Sequence, residues 1–360
     1  MNRLLAIGLA SLAAYGLLIA SKYAGFVPGY AADKSPRTAA SAESAQGPSS
    51  AVLPVTPEPN PRPVALPAPA TRVQVAALSP IALDFRSARD LKAFADALAA
   101  RRASLNGDER YYLAKALEEC QFVTTINEDL AAYSAKQRRQ FLSGLPAGDP
   151  LNAKRIAAYE AADNTQRCQR FAGAKISPKD IEDLFQSAAA QGDPRAQARI
   201  VVAELNKGQA NAARNDSTAP TPRNDSELSR LIGLLESGDP EAMMIVGQYL
   251  ATSANTNQLR IGPNGEVPEP SAFLGAFTLV ACDLGPECMS LSREPQLACA
   301  YAGYCSSTNF EELYQNVLAS PWVYAQAIRY RGIIHNAIDT RNWALLGLVP
   351  PAAAPNTGPQ

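Results

Sequence analysis

The chain has 360 residues, with 33 Lys and Arg against 34 Asp and Glu and a formal net charge of −1. That balance, with no basic stripe anywhere, argues against nucleic acid and strongly anionic surfaces as partners. A single histidine, His335, excludes a two-histidine zinc motif. No phosphate-binding glycine loop and no strained serine elbow is written in the chain, so no cofactor and no catalytic residue is expected.

In chain order, Met1-Asn2-Arg3 precede Leu4–Ala20, which is apolar or small throughout, and Lys22 follows. At about 17 residues this run sits at the short end of a spanning helix and slightly above a signal-peptide core. Ile19-Ala20-Ser21 is a poor small-x-small cleavage site, and Gly29-Tyr30-Ala31 lies far downstream. Residues 1–26 therefore read as an uncleaved signal anchor, in the membrane through residues 4–20. A removed signal peptide is the alternative. The first reading places a single N-terminal anchor in a bacterial inner membrane and the domain in the periplasm. The second leaves it secreted or free in the periplasm.

Residues 27–80 hold eleven of the chain's 28 prolines, densest from Pro54 to Pro69. Proline removes donors and fixes an extended path, so the segment reads as a disordered Pro/Ala/Ser-rich tether. Residues 81–349 are long enough for a substantial core, and residues 350–360 read as a disordered tail.

Within 87–252 a Gly-Asp pair recurs at Gly107-Asp108, Gly148-Asp149, Gly192-Asp193 and Gly238-Asp239, at spacings of 41, 44 and 46 residues. Proline follows in the last three copies, as Pro150, Pro194 and Pro240. Glycine takes the left-handed turn that ends a helix, aspartate caps the next one, and proline fits its first position. The motif predicts helix stop, cap, helix start. Leu91, Phe94, Ala95 and Leu98 form an apolar face before the first turn. Ile181, Leu184, Phe185 and Ala188 do the same before the third, and Leu228, Leu231, Ile232 and Leu235 before the fourth. The second copy is weaker, because 129–140 is more polar and less periodic.

Ala189-Ala190-Gln191-Gly192-Asp193-Pro194-Arg195-Ala196-Gln197 resembles the centre of a Sel1-like repeat, a relative of the tetratricopeptide repeat. Gly238-Asp239-Pro240-Glu241-Ala242, with Gly247 and Tyr249, is similar to the same core. The resemblance implies stacked antiparallel helical hairpins, an all-α solenoid and an interaction role. It brings no functional residues with it.

Two insertions interrupt the pattern. Gly208–Asn224 is expected to be a mobile loop. Leu259–Val267 is expected to be a small hairpin turning at Asn264-Gly265. The region 271–349 is expected to be a Cys-bearing helical part, with helices over 272–284, from 295 to about 302, and over 322–339.

Six cysteines behind an export signal favour disulfides over metal. Cys120 with Cys168 would staple neighbouring units. Cys282, Cys288, Cys299 and Cys305 allow three connectivities. Nested pairing of Cys282 with Cys305 and Cys288 with Cys299 suits two antiparallel helices. Trp322, Tyr324, Arg329, Tyr330 and Arg331 combine aromatics and arginines on one helix, a composition enriched at recognition surfaces, although packing of the last helices is the plainer explanation. The acidic pairs Glu118-Glu119, Glu311-Glu312 and Asp180 with Asp183 are weighed as acid and base for glycan cleavage.

The leading expectation is a membrane-anchored envelope protein whose exported helical domain binds or scaffolds an envelope protein or peptide. A cell-wall glycan-acting enzyme and a structural spacer without a ligand are the alternatives.

Overall fold

The computed structural model describes residues 78–126, 129–214, 224–285 and 293–349. The expected membrane segment, the tether before Leu78, the tail from Pro350 and Cys288 lie outside them. Among the described residues no helix is long and apolar enough to cross a membrane.

The described chain is all-helical. The principal helices are α1 (Pro80–Ser87), α2 (Leu91–Ala99), α3 (Gly107–Cys120), α4 (Leu130–Ser143), α5 (Asn152–Ala162) and α6 (Pro178–Ala190). They continue as α7 (Pro194–Arg214), α8 (Asp225–Glu236), α9 (Pro240–Leu250), α10 (Pro270–Leu284), α11 (Arg293–Ala302) and α12 (Pro321–Thr340). Among the described residues the one β-bridge joins Ile261 and Glu266, closing the turn expected around Asn264-Gly265.

Helix starts follow from local chemistry. Six of these helices open on proline, at Pro80, Pro178, Pro194, Pro240, Pro270 and Pro321, where a missing N–H leaves no bond unmade. Polar caps precede them. The Ala196 amide donates to Asp193 at 2.9 Å, and the Ala242 amide to Asp239 at 2.8 Å. Gly192 and Gly238 are left-handed, with φ of 86° and 66°. The third and fourth Gly-Asp-Pro copies therefore form the stop, cap and start that they spell.

The other two copies depart from this. Gly148 is left-handed, but Asp149 caps a turn, accepting from the Leu151 amide at 2.8 Å, and α5 begins only at Asn152. Gly107 is helical. Its cap is Asn106, which accepts from the Glu109 amide at 2.9 Å while Glu109 accepts from the Asn106 amide at 2.9 Å. The preceding helix has already ended at Ala99.

The predicted faces are the buried faces except at Phe94 and Leu228, which are half-buried. Leu91, Ala95 and Leu98 are buried, as are Ile181, Leu184, Phe185 and Ala188, and Leu231, Ile232 and Leu235. Helix α3 packs on α2 and α6, α7 on α6 and α9, α8 on α7 and α9, α10 on α9 and α12, and α11 on α5. One large apolar cluster joins α1, α2, α3 and α6 to Cys168 and Phe171. The expected loop from Gly208 is corrected: α7 continues to Arg214. The Gln209 side chain supports it by donating to the Tyr249 hydroxyl at 3.0 Å and to Asn255 at 2.8 Å.

Cys120 at the end of α3 is bonded to Cys168. Cys299 is bonded to Cys305, which replaces the nested pairing of Cys282 with Cys305 and Cys288 with Cys299. Helix α11 stops at Ala302, and Gly303, at φ 78°, turns the chain back so that Cys305 returns to the helix it has just left. Cys282 is also disulfide-bonded, with its partner outside the described residues.

The separations are 48 and 6 residues. Loop entropy then assigns about 4 kcal/mol to the first bond and about 2 kcal/mol to the second. In urea titrations, replacing Cys120 and Cys168 with alanine is expected to cost about twice as much unfolding free energy as replacing Cys299 and Cys305. Equal losses would contradict that ordering.

Candidate functional site

Arg195, in the first turn of α7, is 8% exposed. Its guanidinium donates to Asp193 and Asp108 at 2.5 Å each and to the Tyr112 hydroxyl at 3.0 Å, and Asp239 lies 3.9 Å away. It also lies over the rings of Tyr111 and Tyr112, 4.3 and 4.9 Å from their centroids. The aspartates of the first, third and fourth Gly-Asp copies thus meet on one side chain. Burial opposes this charge, but the hydrogen bond and field of Asp193 overcome it and hold the guanidinium firmly protonated.

A second buried cluster adjoins it. Glu241, in the first turn of α9, accepts from the Tyr111 hydroxyl at 2.6 Å and from Lys115 at 2.5 Å, both on α3. Burial pushes this carboxyl up, yet Lys115 and the Tyr111 hydrogen bond prevail and bring it down to about 2. Arg199 pairs with Glu118 and covers the Phe185 ring at 4.2 Å. Apart from the buried Oε2 of Glu241, which has no hydrogen-bond partner, these groups are engaged with one another, and the clusters join helices.

Two open depressions remain, and in the first the polar lining groups each already have one partner within the chain: Gln186 with Glu182, Gln197 with the Ala189 carbonyl, Ser229 with the Asp225 carbonyl and Arg230 with Glu204. The first is a groove of about 540 Å³ between α6, α7 and α8. Ile200, Val201 and Leu234 give it an apolar floor, Ala189, Ala190 and Gly233 low walls, and Gln186, Gln197 and Ser229 polar margins.

The second is a cleft of about 280 Å³ where the end of α3 meets α4, α5 and α11. Glu119 and Phe122 come from the α3 end, Tyr133, Ser134 and Gln137 from α4, and Tyr159 and Ala162 from α5. Asp163, Asn164 and Thr165 follow α5, and Arg293, Leu297 and Tyr301 come from α11. Arg155 of α5 docks α11 here. It donates to the Ala300 and Tyr301 carbonyls at 2.9 and 3.1 Å and pairs with Asp149 at 3.3 Å. Burial raises the Glu119 carboxyl, although Arg167 lies 3.4 Å away.

The aromatic and arginine residues expected to form a surface on α12 do not share one. Trp322 is 59% exposed, Tyr324 is half-buried beside Tyr314, and Arg329 is exposed and paired with Glu266 at 2.5 Å. Tyr330 is buried, edge-on to Phe273, and its hydroxyl accepts from the Glu269 amide at 3.2 Å. It belongs to the core and is corrected as a surface residue. Arg331 pairs with Glu311 at 3.0 Å and with Asp283, which also meets His335 at 2.7 Å.

The acidic pairs are engaged separately. Glu118 meets Arg199, Glu119 meets Arg167, Glu312 accepts from the Thr308 amide, and Asp183 meets Lys179. Apart from Glu119, weighed as half of an acidic pair, the cleft residues had no sequence signal, because they come from four segments that share no period.

The Glu241 carboxyl lies below its ordinary value of 4.5, so its contribution is full above that pH and is lost as pH falls through about 2. Glu241→Gln is expected to lower stability by about 3 kcal/mol at neutral pH, with the difference shrinking as acid is added. Urea titrations across that range check it, and a gap that stays constant into strong acid would contradict it.

No family model matches this chain, and no curated protein and no solved structure does either.

Proposed function

We propose that the chain is a membrane-anchored envelope protein whose exported helical domain binds a segment of a partner protein. Its hairpins stack as repeat-like units, and stacking of this kind creates extended grooves. The observation that carries the reading is the groove between α6, α7 and α8. It is open, apolar in its floor and small-walled, with carboxamides at its margin. Such a surface takes a partner segment that offers aliphatic side chains to Ile200, Val201 and Leu234 and its polar backbone to Gln186 and Gln197. The disulfides support an oxidising compartment, as an exported domain requires.

A photo-crosslinker at Ser229 in the groove, in cells carrying the full chain, tests this. The expected result is one reproducible partner that is not captured from exposed Leu83 on α1. Gly233→Arg should abolish its capture. A Cβ at Gly233 meets nothing within 4 Å, so arginine there fills the groove without displacing the fold. Capture that is equal from both positions, or insensitive to Gly233→Arg, would overturn the reading.

A further inference from the structure

The cleft between α4, α5 and α11 shares no residue with the groove, and its chemistry differs. Its lining mixes the rings of Phe122, Tyr133, Tyr159 and Tyr301 with polar side chains. Phe122 and Tyr301 stand at 38% and 55% exposure, large rings left in water. Tyr159 and Tyr301 are nonetheless held in place. Phe141 stacks on Tyr159 at 4.2 Å and 10° and meets Tyr301 edge-on at 5.5 Å, and Tyr159 meets Tyr301 edge-on at 6.2 Å. Burial raises both phenols, which keeps them as hydrogen-bond donors.

Arg293 is exposed and makes no hydrogen bond or ion pair with another described residue. This contrasts with Arg155 and Arg167 nearby, which are both paired. The two carboxylates of the cleft are already held: Glu119 by Arg167, and Asp163 by the Thr165 amide at 2.8 Å. Asp163 keeps its negative charge, because an amide does not neutralise a carboxylate, and Arg293 is the lining cation that has no carboxylate partner among the described residues.

We propose that this cleft binds an acidic oligosaccharide. A pyranose ring presents an apolar C–H face and a rim of hydroxyls. The face packs on a fixed aromatic ring, and the hydroxyls pair with phenols and with the Gln137 amide. A carboxylate on the sugar takes the planar fork of Arg293. A proline-rich peptide would use the rings but leave the interspersed polar groups unpaired, which costs affinity.

The test uses the full-length chain in detergent micelles with three probes, followed by calorimetry. The probes are peptide-free cell-wall glycan strands with a carboxylate on alternate rings, neutral chitotetraose, and hexaproline. The strands are expected to bind about tenfold more tightly than chitotetraose, and Arg293→Gln should remove that difference. Tyr301→Ala should weaken both sugars about tenfold. Phe122→Ala gives the same readout at a second exposed position if Tyr301→Ala misfolds. Trp322→Ala on α12 should change neither. Equal binding of both sugars with no effect of Arg293→Gln would overturn the proposal, as would preference for hexaproline or no saccharide binding. The groove variant Gly233→Arg should leave sugar binding unchanged, so failure here is separable from failure of the protein-binding reading.

Discussion

A buried guanidinium has to be surrounded by acceptors, and the arrangement of this domain follows from how Arg195 meets that demand. Taking the charge out of water is costly unless nearly every N–H is partnered. The partners come from three places: Asp108 in the first turn of α3, Asp193 before α7, and Asp239 before α9. Two of these aspartates also cap their own helices, and Asp239 in addition approaches Arg195 of the neighbouring α7 from the start of α9. Glu241 joins helices in a similar way from the first turn of α9, reaching Tyr111 and Lys115 of α3 across more than a hundred residues. The helix starts are thereby gathered at one point, and the apolar faces are left to pack along their lengths.

The parts of this that could be read from the chain were those with a period. The i, i+3, i+4 faces of α2, α6 and α8 are buried as expected, because a helix with one apolar stripe has only one face to hide. Gly-Asp-Pro works as a turn at Gly192 and Gly238. The same dipeptide at Gly107 has another cause. A Cβ there would come within 3.2 Å of the Ala188 carbonyl, so glycine permits close approach of α3 to the end of α6 and is not there for a left-handed bend. The dipeptide alone cannot separate those two reasons. Nor does composition show that Gly208 continues α7, since the support for that turn comes from Tyr249 and Asn255 in a later segment. Tyr330 bears out the packing explanation for its helix. Its composition suits a surface, but its phase on α12 points it at Phe273.

The cleft depends on contacts that have no period. Helix α11 is brought to α5 by Arg155, which caps the last carbonyls of α11, and by the rings of Phe141, Tyr159 and Tyr301. The Cys120–Cys168 bond holds the end of α3 beside the chain that leaves α5, and so sets Glu119 and Phe122 opposite Asp163 and Asn164. One wall is therefore tied covalently and the other electrostatically. Rings held in this way lose little further freedom when a ligand arrives, and that favours binding over adjustment.

Arginine appears in both settings, and the difference between them separates structure from site. Arg195 has a partner for nearly every donor, two aromatic faces against it and almost no solvent, so a ligand could reach it only by breaking bonds already made. Arg293 carries the same fork, exposed and unpaired among the described residues, at the edge of a lined cleft. An exposed guanidinium is open to water, and a carboxylate displaces such water while gaining a bidentate bond. A cluster of charges marks a site only where a group unsatisfied by the protein is also open to solvent, which the buried Oε2 of Glu241 is not and Arg293 is. By that criterion the most polar region of this molecule is its joint, and the chemistry open to a ligand lies at the quieter edge of α11.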